Sequence, residues 1–260
     1  MIGKVVHLLG MTFVLGLPLF AWCADAEIAK LFSDRKVQGT LVLTSLYSSD
    51  SWVHDDVRAN TPFVPASTFK ILNALIALDA GVIDESEVLK WDGTDKGIDA
   101  WNCDQTLETA FQSSCIWFFQ ELALRVGKTR YQKVLDEVGY GTAIPGPDLE
   151  SFWLEGDLKI SATAQVEFLK RLYRKELPFR PSSYDTVQEL MILEQTPAYI
   201  LRGKTGWGQK VSPQIGWFVG YVETKGKTWI FATNLDITKP EDARHRRDIT
   251  LDALKLKGIL

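Results

Sequence analysis

Histidine is scarce in this chain: three in 260 residues, of which only His54 and His245 lie beyond the N-terminal stretch. A Ser-His-Asp triad needs a histidine base beside its serine. No Gly-x-Ser-x-Gly elbow and no His-Glu-x-x-His pair occurs, so the common serine-esterase and zinc-protease signatures are absent. His54 stands beside Asp55 and Asp56, a pattern that a polar turn explains better than a metal site.

Positive charge is also in short supply. Lys and Arg number 29 against 33 Asp and Glu, a net charge of -4, which argues against a nucleic-acid partner because that role needs a basic face. Low-complexity tracts, repeats and long charge blocks are missing. Cysteine is limited to positions 23, 103 and 115.

Aromatic and aliphatic residues are plentiful. The chain is 46% hydrophobic with 9 Trp and 13 Phe, enough for one large domain or two interleaved subdomains around a substantial core.

Residues 1–26 have leader character. Lys4 precedes an apolar run from Val5 to Phe20, and Ala24-Asp25-Ala26 offers small residues for cleavage. The run is shorter than the roughly 20 residues of a spanning helix, so a removable signal peptide is expected rather than a stable membrane anchor. Trp22 before Cys23 is too bulky for a lipoprotein site. The exported domain then covers residues 27–260, retaining Cys103 and Cys115 in a compartment that permits a disulfide. A bridge and two separate thiols both remain open from the sequence.

Strand-like alternation marks residues 39–47, with Ser51–Val57 as a pairing partner. Helical periodicity follows over Thr68–Leu78, Leu107–Val126, Thr129–Val138, Ala162–Lys175 and Tyr184–Glu194. Strand signals return at Tyr199–Leu201, Gln214–Val222 and Thr228–Asn234, before a last amphipathic helix over Arg246–Leu256. This order predicts an α+β fold: an antiparallel sheet built from both ends of the chain, flanked by N- and C-terminal helices, with an inserted all-helical subdomain. A site is expected where the two parts meet.

With histidine excluded, a lysine base becomes the leading option. Ser67-Thr68-Phe69-Lys70 places a hydroxyl and an amine on one helix face, and a neutral lysine can activate a serine. A free lysine, with pKa near ~10.4, is almost wholly charged at neutral pH; burial among apolar groups such as Phe69, Ile116, Trp117 and Trp153 corrects that. Ser114-Cys115-Ile116 opens an apolar helical stretch, where the serine is either a cap or a proton relay. Lys204-Thr205-Gly206, followed by Trp207, is either a strand end or an edge offering an ammonium and a hydroxyl to an anion.

The three motifs in this order resemble those of the penicillin-recognising serine enzymes. With an apolar third residue in the middle motif, the chain resembles the class D serine β-lactamases, the oxacillinase type. Tyr140-Gly141-Thr142, Phe152-Trp153-Leu154-Glu155-Gly156, Gly216-Trp217-Phe218-Val219-Gly220 and Arg246 extend the similarity over most of the chain. Thr142 departs from the family's usual Asn, and Cys115 is an unusual central residue of its motif.

The resemblance implies hydrolysis of β-lactam antibiotics through an acyl-enzyme on Ser67. It implies that carbon dioxide or bicarbonate carbamylates Lys70, supported by Trp153 and Ile116, that Ser114 relays protons, and that Lys204, Thr205, Gly206, Trp207 and Arg246 bind substrate. No metal or organic cofactor is implied. An exported, periplasmic enzyme of a Gram-negative bacterium is expected, as monomer or homodimer. A β-lactam sensor domain and a penicillin-binding D,D-peptidase are the alternatives.

Overall fold

The computed structural model describes residues 25–260; Cys23 and residues 1–24 of the expected leader lie outside them. Six strands form one antiparallel sheet in the spatial order β2-β1-β6-β5-β4-β3. They are β1 (Gly39–Ser45), β2 (Ser51–His54), β3 (Ile192–Gln195), β4 (Tyr199–Gly208), β5 (Gln214–Thr224) and β6 (Lys227–Ile237). β-Branched and aromatic residues fill β5 and β6, which are buried along nearly their whole length; continuous apolar runs of this kind mark strands covered on both faces. A two-residue turn joins them, closed by Gly226 at φ +79°, a conformation that favours glycine.

The period-2 alternation of the strands divides the core. Leu41, Leu43, Phe218 and Phe231 point toward α1 (Ala26–Arg35) and α9 (His245–Leu256), whereas Val42, Val219, Ile230 and Ala232 point into the larger helical side. That side holds α2 (Asp56–Asn60), α3 (Lys70–Ala80), α4 (Leu107–Gln112), α5 (Ile116–Val126), α6 (Lys128–Val138), α7 (Ala162–Tyr173) and α8 (Pro181–Leu190). The architecture is the α+β arrangement expected from the sequence. Nine consecutive residues of α3, Lys70 to Leu78, are buried, so this helix forms the centre of the helical side.

Asp25 and Ala26, placed in the leader by the sequence, take part in α1. The Asp25 carboxylate caps the helix by accepting from the N–H groups of Glu27 and Ile28 and pairs with Lys257 at 2.7 Å. Element boundaries also differ from expectation, and Ser51–Val57 is strand only to His54 before α2 begins at Asp56. The stretch Leu107–Val126 is two helices, α4 and α5, broken where Ser114 takes φ +59°. The helix expected over Tyr184–Glu194 ends at Leu190, and Ile192–Gln195 pairs with β4 as an edge strand. β4 itself runs from Tyr199 through the Lys204 motif to Gly208, because β5 pairs with it residue for residue to Ile215. No helix among the described residues is long and apolar enough to cross a membrane.

Candidate active site

Ser67 sits in a 3₁₀ turn, Ala66–Phe69, that runs directly into α3 at Lys70. Residues three apart are nearly eclipsed in such a turn, and Nζ of Lys70 donates to Oγ of Ser67 across 2.8 Å. Ala66, immediately before the serine, holds φ +49°, a strained conformation for a residue with a Cβ. Lys70 is fully buried, and burial pulls its pKa down to about 7. A large neutral fraction at physiological pH follows, which an exposed lysine lacks.

The second and third motifs meet at the same place. Nζ of Lys204 donates to Oγ of Ser114 at 2.9 Å and to its neighbour Thr205's carbonyl at 3.2 Å. Cys115, not Ser114, stands at the N-cap of α5, and no side chain caps that helix. The Ser114 hydroxyl is thereby free to face Lys204. Burial, with Lys70 and Arg246 nearby, holds the Lys204 ammonium well below the ordinary lysine range.

Gly206 brings β4 against the serine turn. A Cβ at that position would lie 3.0 Å from the Pro65 carbonyl oxygen and 3.1 Å from the Thr68 methyl, so any side chain there would push the strand and the serine turn apart by a few tenths of an ångström. β3 pairs only with residues 200–202 of β4, leaving Thr205 to Gly208 without a strand on that side. Trp207 alternates to the opposite sheet face, where the Arg246 guanidinium carbon lies 5.9 Å from its ring centroid. Nη1 of Arg246 is buried without a hydrogen-bond partner, and burial pushes this arginine down to about 10.

Trp153 reaches the serine turn from the loop before α7. Its carbonyl accepts from the Ala66 N–H at 2.8 Å, and its ring stacks on Phe69 at 5.8 Å. The indole N–H of Trp153 is fully buried and has no partner among the described residues. A buried, unsatisfied donor is costly, and in a site that also holds a buried, half-neutral amine it suits an added anionic group. A carbamate on Lys70 fits that chemistry. Thr142 braces the same loop: its hydroxyl donates to the Asp157 carbonyl at 2.8 Å and accepts from the Lys159 N–H at 3.0 Å.

One wall of the lysine is an aromatic that no motif singles out. Trp117 lines a separate cavity with Lys90, Gln120, Glu121 and Leu124, and its indole donates to the Trp101 carbonyl at 2.9 Å. Two residues along α5, Phe119 projects on the other side and lies 5.4 Å from Nζ of Lys70. Ile116, expected to support the carbamate, is the first residue of α5, only half-buried. Phe119 and its neighbour Phe111 escape a reading by motif because in sequence they look like any core aromatics. Cys103 is exposed and Cys115 buried, both as free thiols. A cavity of about 570 Å³ between β1, β2, α2 and α7 contains none of these residues.

The family model for the penicillin-binding protein transpeptidase domain matches residues 39–255. β-Lactamase OXA-48 of Klebsiella pneumoniae is 39% identical over 250 residues, covering 95% of this chain and 94% of that protein. β-Lactamase OXA-10 of Pseudomonas aeruginosa is 38% identical over 235 residues, 89% of this chain and 88% of its own. Among solved structures, the class D β-lactamase YbXI from Nostoc superposes with a TM-score of 0.88 at 43% identity, covering 90% of this chain and 99% of that one. FUS-1 (OXA-85), a class D β-lactamase from Fusobacterium nucleatum subsp. polymorphum, gives a TM-score of 0.89 at 35% identity over 92% and 100% of the two chains. Sequence and fold agree over nearly the full described length, and the chain belongs to the class D β-lactamases of the penicillin-binding transpeptidase-domain family.

Proposed function

We propose that the protein hydrolyses β-lactam antibiotics, conferring resistance, through an acyl-enzyme on Ser67 with carbamylated Lys70 as the general base. The reading rests chiefly on one observation: a fully buried Lys70 amine, pulled down to about 7, lies 2.8 Å from the Ser67 hydroxyl.

Oγ of Ser67 attacks the lactam carbonyl carbon, and the ring C–N bond breaks as the ester forms. In its carbamate form Lys70 supplies an oxygen base for the Ser67 proton. That proton passes on to refill the Ser114–Lys204 pair once the pair has protonated the lactam nitrogen, which frees the carbamate to take the proton of the attacking water and return it to Ser67. The backbone N–H groups of Ser67 and Trp207 face the developing oxyanion, where fixed donors are worth most; the tight contact at Gly206 supports that pairing. Ser114 passes a proton to the departing lactam nitrogen, and Lys204, 2.9 Å away, replaces it. Thr205 and the unpartnered guanidinium of Arg246 receive the substrate carboxylate. Water then cleaves the ester and Ser67 regains its proton.

The leader-like residues 1–26 support export to the periplasm of a Gram-negative bacterium. Steady hydrolysis of penicillin, oxacillin, cephalosporin and carbapenem substrates, measured with and without bicarbonate, tests the proposal. A burst of acylation without turnover would overturn it in favour of a sensor.

A further inference from the structure

The two buried lysines of the site each lie over a phenyl ring. Nζ of Lys70 is 5.4 Å from the Phe119 centroid, and Nζ of Lys204 is 5.7 Å from that of Phe111. The rings meet edge to face at 6.4 Å. Phe111 lies in the last turn of α4 and Phe119 near the start of α5, on either side of the Ser114 turn.

A ring face attracts an ammonium through its quadrupole, whereas a neutral amine gains only dispersion there. Such contacts therefore favour the charged state. The hydrogen-bond partners separate the two lysines. An ammonium carries three donors and no acceptor, and Lys204 has two oxygen acceptors, Ser114 Oγ and Thr205 O. Lys70 has one among the described residues, Ser67 Oγ, and as a neutral amine it can accept from that hydroxyl.

Phe111 holds both members of the Lys204–Ser114 pair. Its carbonyl accepts the Ser114 N–H at 3.2 Å, while the preceding carbonyl, of Ala110, accepts from Cys115 at 2.8 Å. These bonds fix the positive-φ turn that aims the Ser114 hydroxyl. The ring of the same residue lies under the lysine.

We propose that Phe111 is a positioning residue for proton delivery: its ring face keeps Lys204 an ammonium and holds it against Ser114. Burial opposes that charge first; the Arg246 guanidinium from α9 adds to it, and Lys70 from α3 does so only while it is protonated. Among the described residues no carboxylate is paired with Lys204, so the favourable contacts come from two neutral oxygens and the ring. Phe119 gives Lys70 a similar face without the second oxygen, which leaves that amine the one that loses its proton. The proposal rests on the acyl-enzyme reading above for the use made of the proton, but the charge it assigns is a property of the resting enzyme.

The test replaces Phe111 with mono-, di- and trifluorinated phenylalanine, which progressively weakens the ring quadrupole at nearly constant shape. Two quantities are read at each step: the alkaline limb of kcat/KM, and the titration of Lys204 in resting enzyme by carbon NMR of labelled lysine, assigned with Lys204→Arg. Both are expected to fall together by about half to one pH unit at the trifluorinated stage, with the melting temperature unchanged. Phe111→Leu is expected to show the larger shift and Phe111→Tyr to restore the limb. A Lys204 titration that stays put across the series, or a leucine variant with the tyrosine variant's limb, overturns the proposal. Absence of hydrolysis in the unmodified enzyme would instead count against the acyl-enzyme reading, leaving the NMR titration to decide the role of Phe111.

Discussion

The Ala66 N–H donates to the Trp153 carbonyl across 2.8 Å, joining the turn that carries Ser67 to the loop that carries Trp153. The tryptophan ring then stacks on Phe69 and leaves its indole N–H buried without a partner. Two segments far apart in sequence thus bury an unused donor in the shell packed around the serine turn.

That donor gives the first prediction. Trp153→Phe keeps a stacked ring and removes the N–H. Carbamate retention, followed by carbon-labelled bicarbonate NMR, is expected to fall at least 10-fold, slowing deacylation with it. Stability should change little, so turnover per folded molecule carries the answer.

Lys70 predicts a pH profile. Its amine titrates near 7 because burial disfavours the ammonium. At low, fixed bicarbonate, activity is expected to fall as pH drops through about 7, where Lys70 gains its proton and can neither accept one nor take up carbon dioxide. Added bicarbonate should move that limb to lower pH.

The same group links to stability. Between about 7 and the ordinary lysine value of 10.5, the unfolded chain binds a proton at Lys70 that the folded chain does not. Unfolded protons exceed folded ones there, so this residue's contribution makes stability rise with pH across that window. Lys70→Met removes the penalty at neutral pH. It is expected to raise the melting temperature by several degrees while abolishing hydrolysis, as thermal melts and a reporter-cephalosporin assay would show.

Thr142 gives a loop prediction. Its hydroxyl bridges the Asp157 carbonyl and the Lys159 N–H. Thr142→Val keeps the shape and leaves both backbone groups without that partner, which should cost about 1–2 kcal/mol in denaturant unfolding. Thr142→Asn is expected to recover part of it.

Asp25 predicts where α1 needs the chain to begin. A protein starting at Glu27 lacks both the cap and the pair with Lys257. It is expected to be less stable than one starting at Asp25 by about 1 kcal/mol, measurable by melting the two side by side.

Much of this was legible in the sequence. Ser67 and Lys70 are three residues apart, and a turn that continues into a helix must bring them together. Alternation over residues 39–47 and the strand signals at Gln214–Val222 and Thr228–Asn234 marked the sheet, and the scarcity of histidine pointed to a lysine base. The break between α4 and α5 was not legible, because periodicity persists across residues 113–115 while the backbone turns at Ser114. The extent of β4 was hidden as well, since Lys204, Thr205 and Gly206 carry no strand signal of their own and are held by β5.

The sequence by itself determined the family and which serine and lysine residues are brought together, since these rest on residue identities at short fixed spacings. Only the tertiary structure decided the charge states and the walls. Whether an amine is neutral depends on what surrounds it in space, and Phe119 over Lys70, Phe111 over Lys204 and the partnerless indole of Trp153 are contacts made by folding. Desolvation and close approach arise between segments remote in the chain, and local spacing carries no record of them.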